Sequence, residues 1–384
     1  MPNQPQGISI LILWGLLTLT ACQRQQDNTP SSKTWTVLIG SATPLSGPQA
    51  HLGLDSERGA QLAIEAANAQ HLTIQGHLLH FELISKDDAA DPRTATIVAQ
   101  QLVDDQVNGI VGHMNSGTTI PASHIYHEAQ IVQISPSATN PKYTHQGFNT
   151  AFRLMANDYQ QGRVLSQFAM NQLNAHAIAV IDDSTAYGQG LANEFIRALD
   201  SKRTTLIAQE HADDHSTDFT ALLTRLKSRH PDLIFYGGMD AQSGPLVHQM
   251  RRLEIPALFL TGDGGCTPEF AQLASDSANN TYCSSPGLPL ENMPKGPSFQ
   301  ATFEKRFGPI QDYAPYSYDA VSILIRAMIT AQSLEPTVYL KVLQSIHYEG
   351  VTANIRFDTY GDLKDGSISL YQWQNGKKQF VVRY

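Results

Sequence analysis

From Trp35 onward, short apolar runs alternate with longer amphipathic stretches, and that alternation predicts most of the architecture. Thr36–Gly40, His80–Ser85, Gly109–Gly112 and Ile131–Ile134 read as strands, while residues 55–69, 92–104 and 121–129 carry apolar side chains at helical spacing. The pattern restarts after Phe152-Arg153-Leu154. Strands are expected at 177–181, 205–210, 233–236 and 257–261, with helices at 187–199, 219–228 and 243–252. Repeated βαβ units imply parallel sheets with right-handed crossovers. The expected fold class is therefore α/β, with two doubly wound parallel-sheet lobes and a ligand cleft between them. After Cys283, a Pro- and Gly-rich stretch leads to helices expected at 299–307 and 318–333, and residues 352–383 read as a hairpin around Tyr360-Gly361-Asp362.

The amino terminus has a different pattern. Ile8 to Thr20 is a mostly apolar run, about 20 Å long as a helix, which falls short of a roughly 30 Å hydrocarbon core. It reads as the apolar region of an export signal, although Met1 to Gly7 lacks the usual Lys or Arg. Leu19-Thr20-Ala21-Cys22 looks like a bacterial lipobox. Residues 1–21 are thus expected to be a lipoprotein signal peptide, Cys22 the lipid acceptor, and 22–34 a polar tether to the membrane.

Composition narrows the function. With 41% apolar and 16% charged residues, the 384-residue chain is globular, which excludes a disordered or collagenous protein. Lys and Arg total 26 against 35 Asp and Glu, a net charge of −9, and no basic block is interleaved with aromatics, so nucleic acid is not an expected partner. Cys266 and Cys283 would join in an oxidising compartment, and two free buried thiols are the alternative. His124/His127 and His211/His215 stand at helical spacing but declare no further metal donors. No nucleophile elbow, P-loop, zinc-protease or dinucleotide fingerprint is present, so neither enzyme chemistry, a metal nor a cofactor is expected.

In open parallel sheets, ligands bind outside the carboxyl ends of strands. The exit after residue 112 carries Asn115, Ser116 and two Thr ahead of Pro121, a helix start with free N–H groups suited to a carboxylate. The next exit, Ser135-Pro136-Ser137-Ala138-Thr139, is again rich in hydroxyls. In the second half, Tyr187, Met239 and Asp263 stand at three successive exits. A buried Asp263 needs a cationic partner, which a ligand ammonium would supply. Hydroxyl donors on one lobe and an acid on the other describe a pocket for a zwitterion.

These residues carry a family resemblance. Pro44-Leu45-Ser46-Gly47-Pro48, Asp87-Asp88-Ala89-Ala90-Asp91-Pro92, Ser135-Pro136-Ser137-Ala138-Thr139, Tyr187-Gly188-Gln189-Gly190 and Gly361-Asp362-Leu363-Lys364, in this order, resemble the leucine/isoleucine/valine-type periplasmic binding proteins of ABC transporters, which have a type I bilobal fold. The resemblance implies a small amino-acid ligand, branched-chain or similar, delivered to an ABC permease and its ATPase subunits by a monomer. It implies that Ser116 and Thr139 hold the ligand carboxylate, with main-chain help from Ser137 and Ala138. Asp263 would face the ammonium and Tyr187 would close over the ligand. Leu52 and Met239 replace Tyr, Asp263 replaces a longer Glu, and Ala90 and Asn115 lack a Cys pair found in some members. The resemblance also implies lobes at 35–155 plus 287–364 and at 156–286 plus 365–384. An anchored sensor for another small solute, such as an amide, remains the alternative.

Overall fold

The computed structural model describes residues 34–384 together with Met1, Pro2 and Gln4. The apolar run 8–20, Cys22 and the tether up to residue 33 lie outside the described residues. Strands Trp35–Thr43 (β1), Thr73–Ile74 (β2), His77–Asp87 (β3), Gly109–Gly112 (β4), Gln133–Ser135 (β5) and Ala151–Arg153 (β6) form one sheet in the order β2-β3-β1-β4-β5-β6. Helices Ala50–Asn68 (α1), Pro92–Asp104 (α2) and Ser116–Glu128 (α3) connect them, and all pairings except β2–β3 are parallel.

After Asp158–Asn171 (α4), the chain builds a second sheet from Ala177–Asp182 (β7), Thr205–His211 (β8), Leu233–Gly237 (β9), Leu258–Thr261 (β10) and Thr281–Pro286 (β11). Its helices are Ala186–Arg197 (α5), Thr220–Lys227 (α6), Asp240–Arg252 (α7) and Pro268–Ala274 (α8). The chain then returns to the first sheet through Gly296–Phe307 (α9), Ala314–Ala331 (α10) and Pro336–Gln344 (α11), with α10 packed on α1 and β4. A short ladder, Tyr348–Glu349 (β12) with Asn354–Ile355 (β13), precedes Ile368–Gln374 (β14) and Lys377–Arg383 (β15), which complete the second sheet as β15-β14-β11-β10-β9-β7-β8. Each lobe thus contains a parallel core of doubly wound order, β3-β1-β4-β5-β6 and β8-β7-β9-β10-β11. In each, the strand order reverses beside its first strand, which is where such sheets bind ligands.

Several expectations change, and α1 and α10 also begin ahead of their expected starts, at Ala50 and Ala314. The carboxyl-terminal hairpin turns at Asn375-Gly376 rather than at Tyr360–Asp362, and it adds antiparallel strands to the second sheet, which is therefore mixed. Gly361 instead approaches β6, where its carbonyl accepts the Arg153 N–H and its φ of +89° suits a residue without Cβ. Helix α3 begins at Ser116 and α7 at Asp240, each several residues before the expected start. Their first turns consist of small or polar residues that carry no apolar periodicity, so tertiary packing decides them.

Cys266 and Cys283 are bonded to each other, tying the segment after β10 to β11. Replacing both by Ser is expected to destabilise the fold by about 3 kcal/mol, the closure entropy of a loop of this size. Denaturant unfolding would read this, and an unchanged midpoint would refute it.

Candidate functional site

The facing strand exits of the two lobes enclose a chamber of about 400 Å³. Lobe one contributes Ser46, Gln49 and Asn115 to its walls, and lobe two contributes Tyr187, Met239 and Gln242. The chamber lies at the β1/β4 exits of one sheet and the β7/β9 exits of the other, the reversal points of both strand orders. Leu52 and Met114 from the first lobe meet Tyr187, Leu191 and Met239 from the second in one continuous buried apolar cluster.

On the first lobe, α3 starts at Ser116 with no side-chain cap, which leaves first-turn N–H groups for an anion. The Ser116 hydroxyl accepts the Asn140 N–H at 3.2 Å. The Thr139 hydroxyl is buried and stands against the Asp158 carboxyl, which it helps to hold down. Ser137 and Ala138 are already engaged: the Ser137 hydroxyl donates to the Met114 carbonyl at 2.9 Å, and the Ala138 N–H donates to Ser135 Oγ at 2.9 Å. They shape the loop that carries Thr139. Asn115 donates through Nδ2 to Gln49 Oε1 at 2.6 Å, while its Oδ1 is buried without a partner.

On the second lobe, Asp263 is held by three neutral donors. Gln161 Nε2 lies at 2.9 Å and the Tyr187 hydroxyl at 2.8 Å from Oδ1, and the Tyr313 hydroxyl lies at 3.2 Å from Oδ2. Glycines on either side permit this approach: a Cβ on Gly262 would stand 2.7 Å from the Tyr187 hydroxyl, and one on Gly264 would stand 2.7 Å from Met239 Sδ. Ser284 orients Gln161 by donating to its Oε1 at 2.7 Å, and Asp55 fixes Tyr313 by accepting its N–H at 2.8 Å.

Sequence reasoning missed Asp158, which opens α4 behind the Asn157 cap. Its signal was the Asn-Asp-Tyr-Gln helix start, which has no apolar run to announce it. Asp158 is fully buried, its N–H donates to the Thr139 carbonyl at 2.9 Å, and its carboxyl has only the neutral Thr139 and Gln161 side chains against it as hydrogen-bond donors. Burial, followed by the charge of Asp263, pushes its carboxyl up to about 7. Burial also raises Asp263, against the pull of Gln161 and Tyr187. Among the described residues no cationic side chain hydrogen-bonds either carboxylate, so the two acids and the Thr139 hydroxyl form a buried, electron-rich corner suited to an ammonium group.

Leu52 is fully buried in α1, and Gln49, at the α1 cap, reaches the chamber wall in its place. Of the histidine pairs, only His215 reaches the chamber wall. His124 and His127 pack on Phe148, His211 pairs with Asp182 at 2.8 Å, and His215 reaches Asp214 at 3.9 Å. Among the described residues, no group of three or more His, Cys, Asp or Glu is placed to hold a metal ion.

Residues 36–378 match the family model described as periplasmic binding protein. The chain is 35% identical over 341 residues to the Leu/Ile/Val-binding protein homolog 1 of Brucella abortus, covering 88% of this chain and 91% of that protein. It is 30% identical over 349 residues to the leucine-, isoleucine-, valine-, threonine- and alanine-binding protein of Pseudomonas aeruginosa, covering 91% and 92% of the two chains. The branched-chain amino acid transporter substrate-binding protein of Streptococcus pneumoniae, solved with isoleucine, superposes with a TM-score of 0.82 at 28% identity, covering 90% of this chain and 99% of that one. A leucine-binding protein from Thermotoga maritima shares the fold with a TM-score of 0.83 at 24% identity, covering 90% and 98%. The type I bilobal fold and the match along nearly the whole described chain lead to one conclusion: the chain belongs to the periplasmic binding protein family.

Proposed function

We propose that this protein captures a small amino acid by closing its two lobes, spanning 35–155 plus 287–364 and 156–286 plus 365–384, and presents the closed form to an ABC permease. The observation that carries this reading is the pair of buried carboxylates, Asp158 and Asp263, bridged by Gln161, with the Asp158 N–H bonded to the Thr139 carbonyl in the loop whose Asn140 N–H reaches Ser116 at the start of α3. A zwitterion satisfies both ends, with its carboxylate at the α3 first turn and Ser116, and its ammonium between the acids and Thr139. Because a ligand that touches both lobes binds the closed state better than the open one, capture is a shift of population and needs no bond chemistry. The leucine-, isoleucine- and valine-binding relatives support a branched-chain or similar side chain against Leu52, Met114 and Met239. Export and anchoring through Cys22 follow from the amino-terminal pattern.

A thermal-melting screen of the chain against the common amino acids and small amides tests this reading. A true ligand at 100 times its Kd stabilises by about 2.7 kcal/mol. If no amino acid shifts the melt, amino-acid capture is wrong. Recovery of the ligand unchanged after dialysis separates binding from turnover.

A further inference from the structure

Beside the chamber, a second polar contact spans the two lobes. His51, on α1 and adjacent to Leu52, places Nε2 2.8 Å from Asp240 Oδ2 at the start of α7, adjacent to Met239. The imidazole is 22% exposed, and the Asp240 side chain is fully buried. Asp240 is braced from its own lobe, where the Thr267 hydroxyl donates to the same Oδ2 at 2.6 Å and the Ala241 N–H donates to Oδ1 at 2.8 Å. The Pro48 backbone adds a smaller pull toward the protonated ring.

We propose that His51 and Asp240 form a proton-dependent lock between the lobes, which tightens ligand capture without touching the ligand. The contact exists only while the cleft is shut, so its free energy adds to the stability of the closed state and thus to apparent affinity. His51 is a positioning residue. The charged groups facing it are Asp240 from α7 and Glu269 from α8. Burial opposes the cation, but these two carboxylates and the Pro48 carbonyl outweigh it, and the closed-state pKa is raised from the ordinary value. In the open form, the imidazole loses Asp240 and returns toward about 6.5. The lock is therefore complete below the open-state pKa and is lost as pH rises through the closed-state value.

The inference rests on closure around an amino acid, and the experiment keeps the two claims separate. L-leucine binding is measured by titration calorimetry at pH 5.5 and 8.5 for the full chain and for His51→Ala, His51→Gln, Asp240→Asn and the double variant His51→Ala/Asp240→Asn. The wild-type to His51→Ala affinity ratio should be about tenfold at pH 5.5, as for a hydrogen bond to a charged group, and should fall toward one at pH 8.5. The difference should arise in the off-rate, and the double variant should be no weaker than the weaker single one. Because a ratio is taken at each pH, titration of Asp158 cancels. His51→Gln should show no excess affinity at low pH. A pH-independent ratio, or additive effects in the double variant, would overturn the lock. If leucine does not bind at all, branched-chain capture fails. Small-angle scattering of the ligand-free chain then decides the lock alone: His51→Ala should be more open than wild type at pH 5.5, and equal dimensions would defeat it.

Discussion

Replacing Asp263 by Ala should weaken amino-acid binding by about 2 to 5 kcal/mol, roughly 30-fold to several thousandfold, and Asp158→Asn should cause a loss of the same order. The reason is shared: among the described residues no cationic side chain hydrogen-bonds either buried carboxylate, and in the proposed capture a ligand ammonium compensates them. The substitutions differ in their effect on the fold. Asp263→Ala leaves Gln161, Tyr187 and Tyr313 without their acceptor, so its melting temperature should fall, whereas Asp158→Asn should be better tolerated, because the amide oxygen can still accept from Gln161. Calorimetric titration with leucine, alongside melting curves, reads both effects. Unchanged affinity in either folded variant would refute a two-carboxylate ammonium site.

The same pair predicts proton release on binding. Burial and the neighbouring Asp263 hold Asp158 at about 7 in the empty site, so near neutral pH a fraction of molecules keeps a proton there. An arriving ammonium favours the ionised form and expels it. Affinity should therefore rise as pH climbs from 6 toward 8, and the release should vanish once the empty site is already ionised. Binding heats of His51→Gln, in buffers of different ionisation enthalpy, isolate this proton from any taken up at His51. A buffer-independent heat at pH 6.5 would contradict the assignment.

Asp362→Ala should destabilise the fold by about 3 to 5 kcal/mol, the cost of leaving a buried charge without its partner. Arg153 is entirely buried and spends its guanidinium on several acceptors: Nε donates to Asp362 Oδ1 at 2.5 Å, Nη1 to the Ala138 and Asn140 carbonyls at 2.7 and 3.0 Å, and Nη2 to Thr144 Oγ1 at 2.6 Å. Those two carbonyls flank Thr139, so the ion pair holds the loop that presents the Thr139 hydroxyl. Asp362 also accepts from Thr144 Oγ1 at 2.7 Å and from Asn157 Nδ2 at 2.9 Å, which fastens this loop to the start of α4. Burial alone would raise the Asp362 carboxyl, but Arg153, with Thr144 and Asn157, outweighs it and holds the carboxyl below its ordinary value. Its contribution is accordingly complete above about pH 4 and is lost as pH falls through the depressed value. Denaturant unfolding of Asp362→Ala at pH 7 should show the full loss, and at pH 2 the difference from wild type should shrink. A difference of under 1 kcal/mol at pH 7 would mean that the pair contributes little. Arg153→Lys should not rescue function, because a single ammonium cannot reach two carbonyls and a carboxylate at once.

Elements with strong apolar periodicity were readable from the chain alone. Helix α2 and strand β4 have their expected bounds, since an Asp91 cap followed by Pro92, and a run of Gly-Ile-Val-Gly, specify themselves locally. Helix α4 was not foreseen: Asp158-Tyr159-Gln160-Gln161 reads as a polar linker until β11 and β14 cover the opposite face. The site divides in the same way. Asn115, Tyr187 and Met239 announced themselves at strand exits, and they line the chamber. Asp158, Gln161 and Tyr313 did not, because each gains its role from a partner 50 or more residues away or, for Asp158, from burial itself.

By itself, then, the order of residues determined the alternating α/β units, the strand exits where a ligand would sit and the overall −9 charge, all of which follow from local periodicity and composition. Only the tertiary structure decided which exits face one another, that two acids rather than one are buried together beside Gln161, and that His51 reaches Asp240 across the cleft. Those facts concern desolvation and distance between remote segments. A carboxylate has the same letter whether water surrounds it or a closed cleft excludes water, and only burial turns it into a binding group.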